Sequence, residues 1–287
     1  MSFAEKFVSS RDGLQIYYRD YAGNATKVPV LCLHGLTRNS RDFANLAEHI
    51  APARRVLVPD QRGRGRSQYD TNWLNYHPGT YIEDMWTLLR AASVERVVVM
   101  GTSLGGLMAM LMAATRPQMI AGVVLNDIGP EIDPTGVARI QAYAGRLPPV
   151  RTWDDAAAQM KMTFGLTFPD YDERQWHEFA RNSFDEGEDG VPRLAADPKI
   201  GDAVRSIPAP PNAAEAMWLA FGQLRNVPAL ALRGAHSDLL SAATFERMQQ
   251  QVASLVAVTV RNRGHAPQLD EPDSLRAIDT FLAGLPV

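Results

Sequence analysis

The sequence predicts an α/β fold with a mainly parallel sheet, on three observations. Continuous apolar runs recur at 28–33, 55–59, 97–100, 121–125, 227–232 and 253–260, the pattern of strands covered on both faces. Segments of helical periodicity lie between them. The two kinds of segment alternate along the chain, which puts helices on both sides of a sheet. In chain order, 14–21 alternates in part and reads as an initial antiparallel portion. The run 28–33 is the first buried strand. Ser40 is placed to cap a helix whose Phe43, Leu46, Ala47 and Ile50 share one face. After the 55–59 strand, Thr80 with Glu83 has the form of a capping box, followed by Ile82, Met85, Trp86 and Leu89 on one face. Residues 97–115 are a 19-residue stretch without a charge, long enough for a membrane span. Gly101, Thr102, Ser103, Gly105 and Gly106 interrupt it. Its first part is β-branched and its second is Leu/Met/Ala, so it reads as buried strand, tight turn and buried helix. Pro272 suits the first turn of a last helix carrying Leu275, Ile278, Phe281 and Leu282.

Alternation stops between about 132 and 212, where helical pieces, prolines and acidic loops follow one another with no clear strand. That segment is expected to be a helical insertion between two sheet strands. The 287 residues then divide into a core of 1–131 and 213–287 and an insertion of 132–212.

Composition narrows the function. With 46% hydrophobic and 21% charged residues, the chain is not a disordered one. A net charge of -3 supplies no electrostatic drive toward nucleic acid or an anionic membrane. The single cysteine, Cys32, excludes an internal disulfide framework and a multi-cysteine metal site. It fits core packing in the 28–33 strand. The first six residues place no apolar stretch behind a basic start, so no signal peptide is read and a cytoplasmic location is expected.

The strongest chemical motif is Gly101-Thr102-Ser103-Leu104-Gly105, directly after one strand and directly before a helix. A G-x-S-x-G in that setting presents its serine on a strained turn with small neighbours. The helix beginning beyond Ser103 points free N–H groups and partial positive charge at it. A serine hydroxyl needs a base. Of His34, His49, His77, His177, His236 and His265, His265 follows the last strand-like run, and loops after parallel strands converge on one edge. His236 is its rival, while His49 and His177 sit in helical patterns at the surface. The base needs an acid. Asp238 follows the 227–232 strand, and the order Ser103, Asp238, His265 points to it; Asp127, after the preceding strand, is the competitor. Asp60, among Arg62, Arg64 and Arg66, reads as part of an ion-paired turn. Oxyanion donors are expected from the backbone N–H of Leu104 and, in the His34-Gly35-Leu36 loop, of Leu36. Arg38 is near enough to touch a polar substrate group, the alternative being an ordinary solvated arginine.

These motifs together resemble the α/β-hydrolase fold. They are His34-Gly35-Leu36, the run from Asp60 to Ser67, Gly101 to Gly106, Ser237-Asp238 and Gly264-His265. The resemblance implies that 132–212 is a lid, or cap, over the active site. Seven aromatics fall between Trp153 and Phe184, and residues 151–190 carry ten acidic and four basic side chains. The aromatics are either the core of a small helical subdomain with an acidic solvated face or, for Trp153, Met162, Phe164, Phe168, Trp176 and Trp218, the lining of an apolar substrate pocket. The expected function is a cofactor-free, metal-free serine hydrolase acting through Ser103 on a carboxylic ester or lactone of a small to medium apolar small-molecule substrate. Carbon–carbon bond hydrolysis of ring-cleavage dienoates and perhydrolase or haloperoxidase chemistry are alternatives on the same residues. A ligand-binding receptor with slow or no turnover is the alternative of a different class.

Overall fold

The computed structural model describes residues 3–206 and 211–285. Met1 and Ser2, at the start of the N-terminal stretch, and 207–210, within the expected insertion, lie outside them. The chain runs β1 (Ala4–Ser9), β2 (Gln15–Tyr21), β3 (Val30–Leu33), α1 (Ala44–Ile50), β4 (Val56–Pro59), α2 (Pro78–Ala91), β5 (Val97–Thr102), α3 (Leu104–Thr115) and β6 (Ile120–Asn126). There follow α4 (Pro134–Tyr143), α5 (Trp153–Phe164), α6 (Glu173–Ser183), the short strands β7 (Phe184–Glu186) and β8 (Pro192–Leu194), and α7 (Lys199–Ser206). The chain returns through α8 (Ala213–Gly222), β9 (Ala229–Gly234), α9 (Ala242–Gln251), β10 (Val256–Val260) and α10 (Pro272–Ala283).

Eight strands form one sheet in the order β1-β2-β4-β3-β5-β6-β9-β10. β1 and β2 pair antiparallel, β2 pairs antiparallel with β4, and the rest are parallel. The inner strands read as unbroken apolar runs because alternate residues go to different cores. Leu31, Leu33, Leu57, Val99 and Leu125 face α2, α3 and α8. Val30, Cys32, Val56, Val98 and Leu232 face α1 and α10. Cys32 is fully buried there, as packing. α3 is apolar all round and ends after 12 residues. Among the described residues no helix is long and apolar enough to cross a membrane.

Local capping departs from expectation at two helices. Asn39, not Ser40, caps the 3-10 turn Ser40–Phe43 that precedes α1, accepting the Arg41 N–H. α2 starts at Pro78, with the His77 ring accepting the Gly79 N–H, so Thr80 and Glu83 lie inside the helix; a proline at the first position preorganises the earlier start. β1 escapes the reading because it is an edge strand with mostly exposed residues. The turn after β4 also differs. Asp60 is buried and accepts backbone N–H groups of Ser40 (2.6 Å) and Arg66 (2.8 Å) rather than an arginine side chain. The ion pairing belongs to buried Arg62, which holds Asp84, Asp70 and Asp12.

The segment between β6 and β9 is mostly helical, but it contains the antiparallel β7–β8 hairpin. Three residues per strand are too few to leave a period. Helices α5 and α6 start in capping boxes, Thr152 with Asp155 and Asp172 with Gln175. They pack Met160, Phe164, Phe168, Trp176, Phe179 and Phe184 into an apolar core of their own.

Candidate active site

The parallel strands end on one edge, and three side chains meet there. Ser103 stands between β5 and α3 at φ 53°, ψ -114°, a conformation that costs a non-glycine residue energy. The neighbours must be glycine: a Cβ on Gly105 would lie 2.0 Å from the Leu33 carbonyl oxygen, and one on Gly101 would lie 2.2 Å from the Gly105 carbonyl. Gly105→Ala is accordingly expected to push α3 off β3 and lower the unfolding midpoint by about 5 °C or more, read by circular dichroism. The Ser103 N–H donates to the Asn126 carbonyl at the end of β6 (3.1 Å).

His265 Nε2 lies 2.9 Å from Ser103 Oγ, and its Nδ1 lies 2.7 Å from Asp127 Oδ2. His265 is 8% exposed and Asp127 is fully buried. A carboxylate at Nδ1 fixes the proton on that nitrogen and leaves Nε2 free to take the serine proton. Asp127 also accepts the Gly234 N–H on Oδ1 (2.6 Å) and the Ser237 hydroxyl on Oδ2 (2.5 Å). Asn126 Nδ2 ties the end of β6 to the His265 loop by donating to the Pro267 carbonyl (2.7 Å).

The acid beside His265 is therefore Asp127 and not Asp238. Asp238 is drawn to Arg139 of α4, whose Nε and Nη2 reach its two oxygens at 2.5 and 2.8 Å. Partial burial opposes the charge of Asp238, yet Arg139 holds its carboxyl below the ordinary value. Both aspartates follow neighbouring parallel strands, so chain order alone does not separate them. One signal does. Asp127 follows β6, whose seven residues are all buried, and a carboxylate at the end of such a strand requires a buried partner. The rival base His236 is exposed; His77 is the cap of α2; His49 and His177 sit on the surface beside Asp279 and Asp154.

His34 is buried and neutral. Burial, helped by Arg64, pulls it down to about 3. Its Nδ1 donates to the Gly35 carbonyl (2.8 Å), and its Nε2 accepts the Gln61 N–H (2.9 Å). Buried Arg64 donates to the Leu36 carbonyl (2.8 Å). The His34-Gly35-Leu36 loop is thus fixed from behind. Neither Leu36 N–H nor Leu104 N–H has a protein acceptor among the described residues.

Ser103 and His265 open on a cavity of about 70 Å³, walled by Ile140, Tyr143, Phe164, Phe168 and Phe179 and by the 34–38 loop. Of the residues expected there, Arg38, Phe164 and Phe168 line it. Arg38 is engaged, bidentate with Asp42 (2.7 and 2.6 Å), bonded to Ser183 Oγ (2.5 Å) and stacked 4.2 Å over Phe179. The three tryptophans lie elsewhere. Trp176 packs in the core of the insertion. Trp153 stacks under Arg181 at 3.5 Å. Trp218 donates to Glu131 and packs on Phe221. Met162 is 79% exposed. Tyr143 and Phe179 were not anticipated; Phe179 follows Trp176 by one helical turn, a spacing that marks a shared face. Among the described residues no three His, Cys, Asp or Glu side chains gather as metal ligands would.

A family model described as the α/β-hydrolase fold matches residues 28–272. The chain belongs to the α/β-hydrolase family. This α/β hydrolase is 34% identical over 272 residues to a 3-hydroxybutyrate-oligomer hydrolase of Cupriavidus necator, covering 93% of this chain and 92% of that protein. It is 25% identical over 254 residues to a 2-(acetamidomethylene)succinate hydrolase of Mesorhizobium japonicum, covering 88% and 87%. Among solved structures, an α/β hydrolase from Novosphingobium aromaticivorans superimposes with a TM-score of 0.92 at 41% identity over 99% of each chain. The family is one of hydrolytic enzymes, and this chain is a hydrolase within it.

Proposed function

We propose that this α/β hydrolase is a serine esterase that cleaves short hydroxy-acid esters through an acyl-enzyme on Ser103. The observation that carries the reading is the unbroken chain Ser103 Oγ, His265, Asp127, at 2.9 and 2.7 Å. His265 Nε2 takes the hydroxyl proton as Oγ attacks the ester carbonyl. The oxyanion sits between the N–H groups of Leu36 and Leu104, where the N-terminus of α3 adds favourable potential. The imidazolium, stabilised by Asp127, returns the proton to the leaving alcohol. The neutral imidazole then takes a proton from water as the water attacks the acyl carbon, and passes it to Ser103 Oγ as the acid leaves. The named activity of the Cupriavidus necator relative, on 3-hydroxybutyrate oligomers, supports an ester as the bond cleaved.

The insertion acts here as a cap. A cavity of about 70 Å³ is well below the roughly 300 Å³ at which small-molecule pockets begin. Substrate entry then needs the cap to shift, breaking bonds such as Arg38 to Ser183 and Gly264 N–H to the Thr167 carbonyl (2.9 Å). The aromatic wall and limited room favour short acyl groups. In a p-nitrophenyl ester series assayed beside the 3-hydroxybutyrate dimer, kcat/KM is expected to be at least about tenfold higher for butyrate than for decanoate. Absence of turnover on every ester would remove the proposal and return the receptor or carbon–carbon readings.

A further inference from the structure

We infer that Ser237, held in place by the Arg139–Asp238 ion pair, is a positioning residue for the acid of the site. The inference rests on the proposed Ser103–His265–Asp127 reading and adds to it a route from the cap into that chain. Ser237 Oγ accepts the Leu240 N–H (3.0 Å) and the Leu239 N–H (3.3 Å). With its lone pairs facing donors, the single hydroxyl proton has one direction left, toward Asp127 Oδ2 at 2.5 Å. That oxygen is the one that accepts His265 Nδ1–H. Asp127, fully buried, thereby receives three hydrogen bonds, with the Gly234 N–H on its other oxygen. Such a set fixes which way the acceptor oxygen points.

The turn carrying Ser237 is secured from outside the core. Asp238, the next residue, is gripped bidentately by Arg139 of α4. The Asp133 N–H, at the start of the same helix, donates to the Leu239 carbonyl (2.9 Å). The aspartate that chain order put beside the histidine thus serves to fasten the first helix of the insertion to the turn that orients the acid. The hydroxyl acts through Asp127 and touches neither substrate nor the reacting atoms.

The test compares Ser237→Ala, Ser237→Thr and Arg139→Met with Ser103→Ala on one chromogenic butyrate ester. Ser237→Ala is expected to lower kcat about tenfold or more while KM stays within about twofold, the pattern of a lost transition-state interaction. The downfield proton resonance of His265 Nδ1–H should shift or broaden in that variant, and Ser237→Thr, which keeps the hydroxyl, should restore both. Arg139→Met should lower kcat in the same sense with KM unchanged. An unaltered kcat and resonance in Ser237→Ala, or an unaltered kcat in Arg139→Met, overturns the inference. Those results beside an inactive Ser103→Ala leave the esterase reading intact, whereas activity in Ser103→Ala removes that reading itself.

Discussion

Replacing Asp127 by Asn should lower kcat about 10⁴-fold, whereas replacing Asp238 by Asn should cost roughly tenfold or less. The two aspartates end up in different chemistry. Asp127 is buried and accepts the His265 Nδ1–H. An asparagine there offers an N–H as readily as an oxygen, which favours the imidazole tautomer with its proton on Nε2. That nitrogen then faces Ser103 with a hydrogen instead of a lone pair, and the imidazolium loses its counter-charge. Asp238 is bound to Arg139 of α4, in the segment between β6 and β9. An asparagine keeps one acceptor for the guanidinium, and the chain from Ser103 to Asp127 is left intact. Steady-state kinetics on one ester, with folding checked by circular dichroism, measure both. Equal losses in the two variants would contradict the assignment of the acid.

Ser103→Ala carries the larger expected effect, a fall in kcat of about 10⁶-fold with KM little changed. Removing the hydroxyl removes the proposed nucleophile, which stands 2.9 Å from His265 Nε2. Residual turnover would come from the Leu36 and Leu104 N–H groups and from binding alone. The substitution leaves the elbow backbone in place, and an alanine at φ 53° meets much the same strain as the serine. Stability should therefore hardly change, and the loss should be almost wholly catalytic.

What the chain disclosed follows from which forces are local. The inner strands were legible because burial on both faces leaves no polar residue in the run, as at Val30–Leu33. Ser103 was legible because steric crowding dictates Gly101 and Gly105 around it, and His265 because it follows the last strand. The choice between Asp127 and Asp238 was not legible in chain order, and its one trace was the wholly buried strand that Asp127 follows. The choice is made by Ser237 and Arg139, which lie 110 and 99 residues from their respective aspartates. Trp153 and Trp176 carry the composition of a pocket wall, but Trp153 lies under Arg181 and Trp176 meets the insertion's own phenylalanines edge-on. An aromatic-rich segment does not reveal which of its faces turns to the substrate. The cap at Asn39 was missed because Asn39 and Ser40 are adjacent and equally able to accept a free N–H, and the start at His77 because a histidine ring is not among the side chains the capping-box pattern names.

The proposed mechanism turns on a covalent acyl-enzyme on Ser103. Its most direct test is intact-protein and peptide mass spectrometry after acid quench of the enzyme mixed with excess p-nitrophenyl butyrate. A butyryl adduct confined to the peptide bearing Ser103 and absent from Ser103→Ala is expected. Ester turnover with no adduct, or with the adduct on another residue, would contradict it.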